Sequence, residues 1–269
     1  MPTIRLNGIP ADIVAAIETQ TGPVLKAEPV PSGLNSEIAV RLHTTERSVF
    51  VKGLRADHPR VWTQEREAQI APYVVGIAPR LLWRIHPGEW DLLGFEDIGG
   101  RHADYAPGSA DLPLVAEAMR HLGEIPCPDL PLKKMSDRMK SYVDDTVTLA
   151  LFDGDRLLHT DWNHANVLIT DRARIVDWAW ASRGAGWIDP ALWAIWLISR
   201  GHTPTEAEQW AAHLPAWGSA SPEAVDAFAA ASARLWDEIA GDEPDAWTQR
   251  IQSAAASWSD HRRGPRNTK

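Results

Sequence analysis

Residues 157–177, LLHTDWNHANVLITDRARIVD, decide the reading of this chain. One apolar run delivers His159, Asp161 and Asn166 in the spacing H-x-D-x-x-x-x-N, and a second apolar run delivers Asp177. Residues 166–170 and 174–176 are strand-like and are expected to pair as a hairpin whose two ends lie close together, bringing Asn166 and Asp177 to one site. Phosphoryl transfer needs that inventory. One carboxylate orients the attacking hydroxyl and accepts its proton, while oxygen ligands hold Mg²⁺ against the nucleotide phosphates. Asp161 suits the first task, Asn166 and Asp177 the second.

Upstream of that stretch the chain reads as a small antiparallel sheet. After an amphipathic opening at 11–19, strands are expected at 24–31, 37–43 and 48–54, separated by turn-like residues. Residues 61–74 have helical spacing, because Glu67, Ile70, Ala71 and Val74 recur at i, i+3, i+4 and i+7 on one face. Glu67 therefore points where apolar residues point. Two further strands, 80–85 and 90–95, flank the turn His86-Pro87-Gly88. Beyond the connector 96–100 the pattern becomes helical, with helices expected at 112–122 and 132–152 and through the Ala- and Trp-rich stretch 190–258. The pattern gives an α+β, bilobal chain with a small antiparallel-sheet lobe at 1–95, a hinge at 96–100, a mainly α-helical lobe at 101–260 and a polar tail at 261–269.

HTDWNHAN followed by IVDW resembles the catalytic and metal-binding segments of the aminoglycoside phosphotransferase family, relatives of the protein kinases. That the bilobal fold is protein-kinase-like is what this motif resemblance at 159–178 implies. VFVK at 49–52 resembles that family's lysine strand, and Glu67 falls in the helix that supplies the lysine's partner. The resemblance implies that Lys52 contacts the α/β-phosphates of ATP, with GTP as the alternative donor, and that Glu67, in preference to Glu65, holds it. It also implies that the loop PSGLNS at 31–36 covers the phosphates, with Gly33 supplying flexibility and Ser36 a hydroxyl. Main-chain groups of Glu96 and Ile98 would bind adenine at the hinge. Asp189 would cap a helix or hold the catalytic loop, and His159 would organise that loop by hydrogen bonding. A lone Asp near a strand end is by default a turn or cap residue; it is the loop, Lys52, Glu67, the Asp161/Asn166 pair and Asp177 in this order that argue for chemistry.

The resemblance implies transfer of the γ-phosphate of ATP, with Mg²⁺, to a hydroxyl of an aminoglycoside, a related antibiotic or another small hydroxylated molecule. A metabolic kinase of choline, homoserine or sugar type is the alternative, and a nucleotide-binding pseudokinase scaffold the reading from another class. Only twelve positions separate Asp177 from Asp189, shorter than the ~20–30-residue segment with which protein kinases receive a peptide.

At 269 residues and 44% hydrophobic composition the chain can bury a full core. The single Cys127 excludes an internal disulfide and fits a reducing compartment. A formal charge of −9 repels nucleic acid and favours a cationic substrate. With no apolar run of ~18 residues, neither secretion nor membrane spanning is expected, and the expectation is a cytoplasmic monomer or weak dimer. Among 14 tryptophans, Trp193 and Trp196 read as core, whereas Trp162 and Trp180, near the catalytic segments, are candidates for a substrate cage.

Overall fold

The computed structural model describes residues 9–30 and 36–264, and Gly33 lies outside them. The chain divides into two compact units, residues 1–100 together with 176–179, and residues 101–175 together with 180–269.

The first unit comprises α1 (Ala11–Thr21), β1 (Val24–Pro29), β2 (Ile38–Thr44), β3 (Ser48–Arg55), α2 (Trp62–Ile70), β4 (Leu81–Ile85) and β5 (Trp90–Glu96). Its strands form one antiparallel sheet in the order β1-β2-β3-β5-β4. β2 alternates buried and half-buried residues, as a strand with one covered face must. Ile13 and Ile17 of α1 pack with Leu42, Val49, Val51 and Leu92 of the sheet, all at most 1% exposed. Each such side chain contributes roughly 1.5–3 kcal/mol on burial. Gly94, opposite Val51 in the ladder, leaves room for the Trp83 ring; an added Cβ would lie 2.2 Å from a ring carbon.

The helix expected at 61–74 ends earlier. α2 stops at Ile70 and a 3₁₀ turn covers Ala71–Tyr73, where Pro72 has no N–H with which to continue an α-helix.

The second unit comprises β6 (Arg101–His102), α3 (Leu112–Glu124), β7 (Lys133–Lys134), α4 (Met135–Met139), α5 (Thr146–Ala150), β8 (Arg156–Leu158), β9 (Val167–Ile169), β10 (Ala173–Ile175), β11 (Ser182–Gly184), α6 (Ile188–Ser199), α7 (Pro204–Ala212), α8 (Pro222–Ala240) and α9 (Ala246–Arg263). Two small sheets, ordered β10-β9-β6 and β7-β11-β8, carry the loops of interest. The core beneath them is aromatic: Phe152, Trp187 and Phe228 meet edge to face with centroids 5.2–6.0 Å apart. Trp193 is fully buried and Trp196 nearly so, as core residues. Arg262 ties α9 to α8 through Asp226 (2.7 Å) and to α7 through Glu208 (3.2 Å).

The helix expected at 132–152 is not continuous. Lys133 and Lys134 pair with β11, α4 is only five residues long, and Asp145 restarts the helix by accepting the Thr148 N–H at 2.7 Å. Asp145 offers the backbone a cap of its own, a competition that apolar spacing does not register. Among the described residues no helix is long and apolar enough to cross a membrane.

Candidate functional site

In the first unit, β3 delivers Lys52 from the middle of the sheet, paired with Ala39 on β2 and Leu93 on β5. The residue is 9% exposed. Glu67, one of the four buried residues of α2, forms an ion pair with its ammonium. Asp177 lies in the 176–179 segment that belongs to this same unit, and its Oδ1 accepts from Lys52 Nζ at 3.2 Å. Burial alone would lower the Lys52 pKa, but the charges of Asp177 and Glu67 outweigh it and hold the ammonium well above the ordinary lysine value. Burial pushes the Glu67 carboxyl up, against the pull of the Lys52 charge.

Glu65 is occupied elsewhere. It pairs with Arg84, which also grips Asp91 bidentately at 2.7 and 2.9 Å. Arg84 thereby draws the neighbouring carboxylate away and leaves Glu67 as the partner of Lys52.

Glu96 closes β5. Its N–H donates to the Arg80 carbonyl at 2.9 Å, and its carboxylate accepts from Arg80 Nε at 3.4 Å. Two residues on, nothing among the described residues accepts the Ile98 N–H. The intervening Asp97 pairs with Arg41 of β2 at 2.8 Å and accepts the Gly99 N–H at 3.3 Å, which fixes the connector to the sheet. Ser36 is half-buried just ahead of β2.

In the second unit, β8 runs into the loop that carries Asp161. The expected hairpin forms as β9 and β10, paired from Val167↔Ile175 to Ile169↔Ala173. Ahead of it a 3₁₀ turn spans His164–Asn166, capped by the Asn163 side chain, which accepts the Ala165 N–H at 3.1 Å. Asn166 Nδ2 donates to the Asp161 carbonyl at 3.3 Å, and the Asp161 carboxylate accepts the Asn163 N–H at 3.4 Å. Asp161 and Asn166 thus belong to one closed loop.

The turn before Asp161 is strained. Thr160 has φ 69°, a left-handed conformation in which a β-branched residue is an outlier, at a cost of order 1–3 kcal/mol. Asp189, buried in the first turn of α6, offsets that cost: its two oxygens accept the N–H groups of His159 and Thr160, each at 2.9 Å. Of the two roles expected of Asp189, it performs the holding of the loop. Its burial raises the carboxyl pKa, against those hydrogen bonds. His159 is fully buried and its Nδ1 accepts the Asp161 N–H at 3.3 Å, an organising contact. Among the described residues Asp177 is the other non-glycine at positive φ, 62°, a conformation Asp tolerates better than Thr does.

Trp162 is not a cage residue. It is fully buried, with its ring 5.7 Å from that of the equally buried His159. Trp180 is 37% exposed and lies beneath the Arg138 guanidinium. Arg138 and Tyr105 escaped the sequence reading. Tyr105, fully buried in the field of Asp161, has its phenol pushed up in pKa by burial and then by that carboxylate. Both lie far from the motif in sequence, and neither belongs to a spacing pattern that could have marked it.

No family model matches the chain, and no curated protein matches it in sequence. Solved structures do match in fold. A choline kinase from Streptococcus pneumoniae superposes with a TM-score of 0.62 at 12% identity, over 92% of this chain and 98% of that one. A spectinomycin phosphotransferase solved with ADP and spectinomycin gives 0.59 at 12% identity, over 92% and 93%. A thermostable aminoglycoside phosphotransferase mutant solved with ADP and hygromycin B gives 0.59 at 14% identity, over 91% and 98%. The chain has the kinase-like fold of these small-molecule kinases.

Proposed function

We propose that this protein is an ATP-dependent phosphotransferase that moves the γ-phosphate to a hydroxyl of a small molecule. The observation that carries this reading is Lys52 held between Glu67 and Asp177, three residues far apart in sequence, in a chain with the fold of small-molecule kinases. A buried ammonium kept charged by two carboxylates is suited to meet the α/β-phosphates as a fixed point charge. Ser36 and the loop ahead of it would cover the phosphates, Gly33 included. The Ile98 N–H and the Glu96 carbonyl would take the adenine edge. ATP is the proposed donor, with GTP the alternative to be tested beside it.

Asp161 is assigned the acceptor hydroxyl, which it orients and from which it takes the proton. Asn166 and Asp177 are assigned Mg²⁺. Among the described residues no group of three His, Cys, Asp or Glu side chains could hold a metal, and a carboxamide with one carboxylate suits an ion that takes one or two protein oxygens and completes its shell with water and phosphate. When bound, Mg²⁺ would neutralise charge on the β- and γ-phosphates. Asp189 and His159 keep the loop in the shape from which Asp161 acts.

An aminoglycoside or related antibiotic is the first acceptor class to test, which would make the biological role antibiotic resistance. The likeness to a choline kinase favours a second, metabolic alcohols of choline, homoserine or sugar type. A net charge of −9 favours a cationic member of either class. Incubation with ATP, Mg²⁺ and a pooled library of hydroxylated antibiotics and metabolites should give a product heavier by one phosphate. ATP turnover with no phosphorylated acceptor would replace this reading with that of a nucleotide-binding scaffold.

A further inference from the structure

The turn before Asp161 is held from a second side, by a guanidinium that no motif announces. Arg138 of α4 points Nη1 at the Thr160 hydroxyl (2.7 Å), the Ser182 hydroxyl (2.8 Å) and the Trp180 carbonyl (2.9 Å). Its guanidinium carbon stands 5.7 Å from the centre of the Trp180 ring. The Thr160 and Ser182 hydroxyls donate to that same carbonyl at 2.8 and 2.9 Å. One guanidinium, two hydroxyls and one carbonyl therefore form a closed network on the side chain of Thr160, while Asp189 takes its main-chain N–H.

We infer that Arg138 is a positioning residue: by gripping the Thr160 hydroxyl it holds the strained turn closed and so fixes the direction of the Asp161 carboxylate. The kinetic consequence rests on the phosphotransferase reading; the structural one does not. A left-handed, β-branched residue relaxes toward ordinary backbone angles unless its surroundings over-determine it. The main-chain grip of Asp189 leaves the threonine side chain free to rotate, and the Arg138 network removes that freedom. Burial disfavours the Arg138 charge, and the nearby carboxylates of Asp161 and Asp189 oppose that effect, so the cation and the loop support each other.

The test uses Arg138→Lys, which keeps a charge but loses the planar fork, Thr160→Val, which keeps the shape but loses the hydroxyl, their combination, and Thr160→Ser as the conservative control. Arg138→Lys and Thr160→Val should each lower acceptor phosphorylation by roughly 10- to 100-fold with nucleotide affinity unchanged, the scale on which a small misplacement acts. The double variant should be no worse than the poorer single one, because both break one network, and Thr160→Ser should stay near wild type. Amide hydrogen exchange at residues 159–163 should rise by about tenfold in the two single variants, with α8 and α9 unchanged. Unchanged local exchange, losses that multiply in the double variant, or exchange rising throughout the second unit would overturn the inference. If the wild-type protein phosphorylates no acceptor, the phosphotransferase reading falls, and the exchange data alone decide whether Arg138 holds the turn.

Discussion

The Lys52 centre and the Asp161 loop are preorganised by different physics. In the first unit three charged side chains fix one another: Lys52 lies between Glu67 and Asp177, and each depends on the charge of the others. In the second, the Asp161 carboxylate is positioned by main chain, through a left-handed threonine whose N–H, together with that of His159, is taken by Asp189. A charge-held centre requires the correct charges and is indifferent to small backbone shifts. A backbone-held loop requires the correct acceptors, here the two oxygens of Asp189. Under the proposed reaction the division is reasonable, because a phosphate cradle needs field strength and a proton acceptor needs direction.

Replacing charges and replacing acceptors should therefore give different signatures. The largest effect is expected from Asp177→Asn, which removes one carboxylate from Lys52 and one of the two proposed metal ligands together. It should abolish transfer and the Mg²⁺ dependence of nucleotide binding, and normal magnesium dependence in that variant, measured by titration calorimetry, would contradict the assignment.

Glu67→Gln keeps the shape of the Lys52 pair and removes its charge. A hydrogen bond to a charged group contributes about 1.5–3 kcal/mol, so nucleotide affinity should fall roughly 10- to 100-fold. The Asp161 loop should show unchanged hydrogen exchange. A loop that loosens in this variant would erase the distinction between the two centres.

Asp189→Asn removes one of the two oxygens that hold the turn. A buried donor left without a partner costs about 1–3 kcal/mol, which should appear as a lower unfolding midpoint in thermal melts and faster exchange at His159 and Thr160, with nucleotide affinity intact. Weaker nucleotide binding at unchanged stability would place Asp189 in the wrong region.

The smallest effect is in pH. The Lys52 pKa is raised in the fold by Asp177 and Glu67 over the opposing effect of burial. The stabilisation it contributes is complete below the ordinary lysine value, about 10.4, and is lost only as pH rises through the higher folded value. Nucleotide affinity should therefore show no Lys52-dependent change between about pH 6 and 10. A decline near pH 9 that disappears in Lys52→Met would show that the carboxylates do not hold the ammonium as described.

The two regions were unequally legible in the sequence. The strands around Lys52 follow from alternation and the inward face of Glu67 from helical spacing, whereas the pairing of Lys52 with Glu67 is an expectation of the family resemblance. The β9–β10 hairpin follows likewise from two apolar runs and a polar turn. The devices that hold the loop were less visible. The left-handed angle at Thr160 leaves no trace in composition, since nothing marks a threonine as strained until its neighbours are known. Arg138 lies 22 residues before Thr160, in a stretch expected to be one long helix, which turns, a two-residue strand and an Asp145 cap divide into short pieces. Trp162 misled for the converse reason: its place beside Asp161 in sequence suggested the substrate, while its ring is fully buried.

The most direct measurement is phosphate transfer by wild type and Asp161→Asn, using ATP labelled in the γ-phosphate, Mg²⁺ and a pooled set of small hydroxylated acceptors. The account predicts a labelled small-molecule product from the wild type, lower by roughly 10²- to 10⁴-fold in the variant at equal nucleotide affinity. Equal product from both proteins, or nucleotide hydrolysis with no labelled acceptor from the wild type, would contradict it.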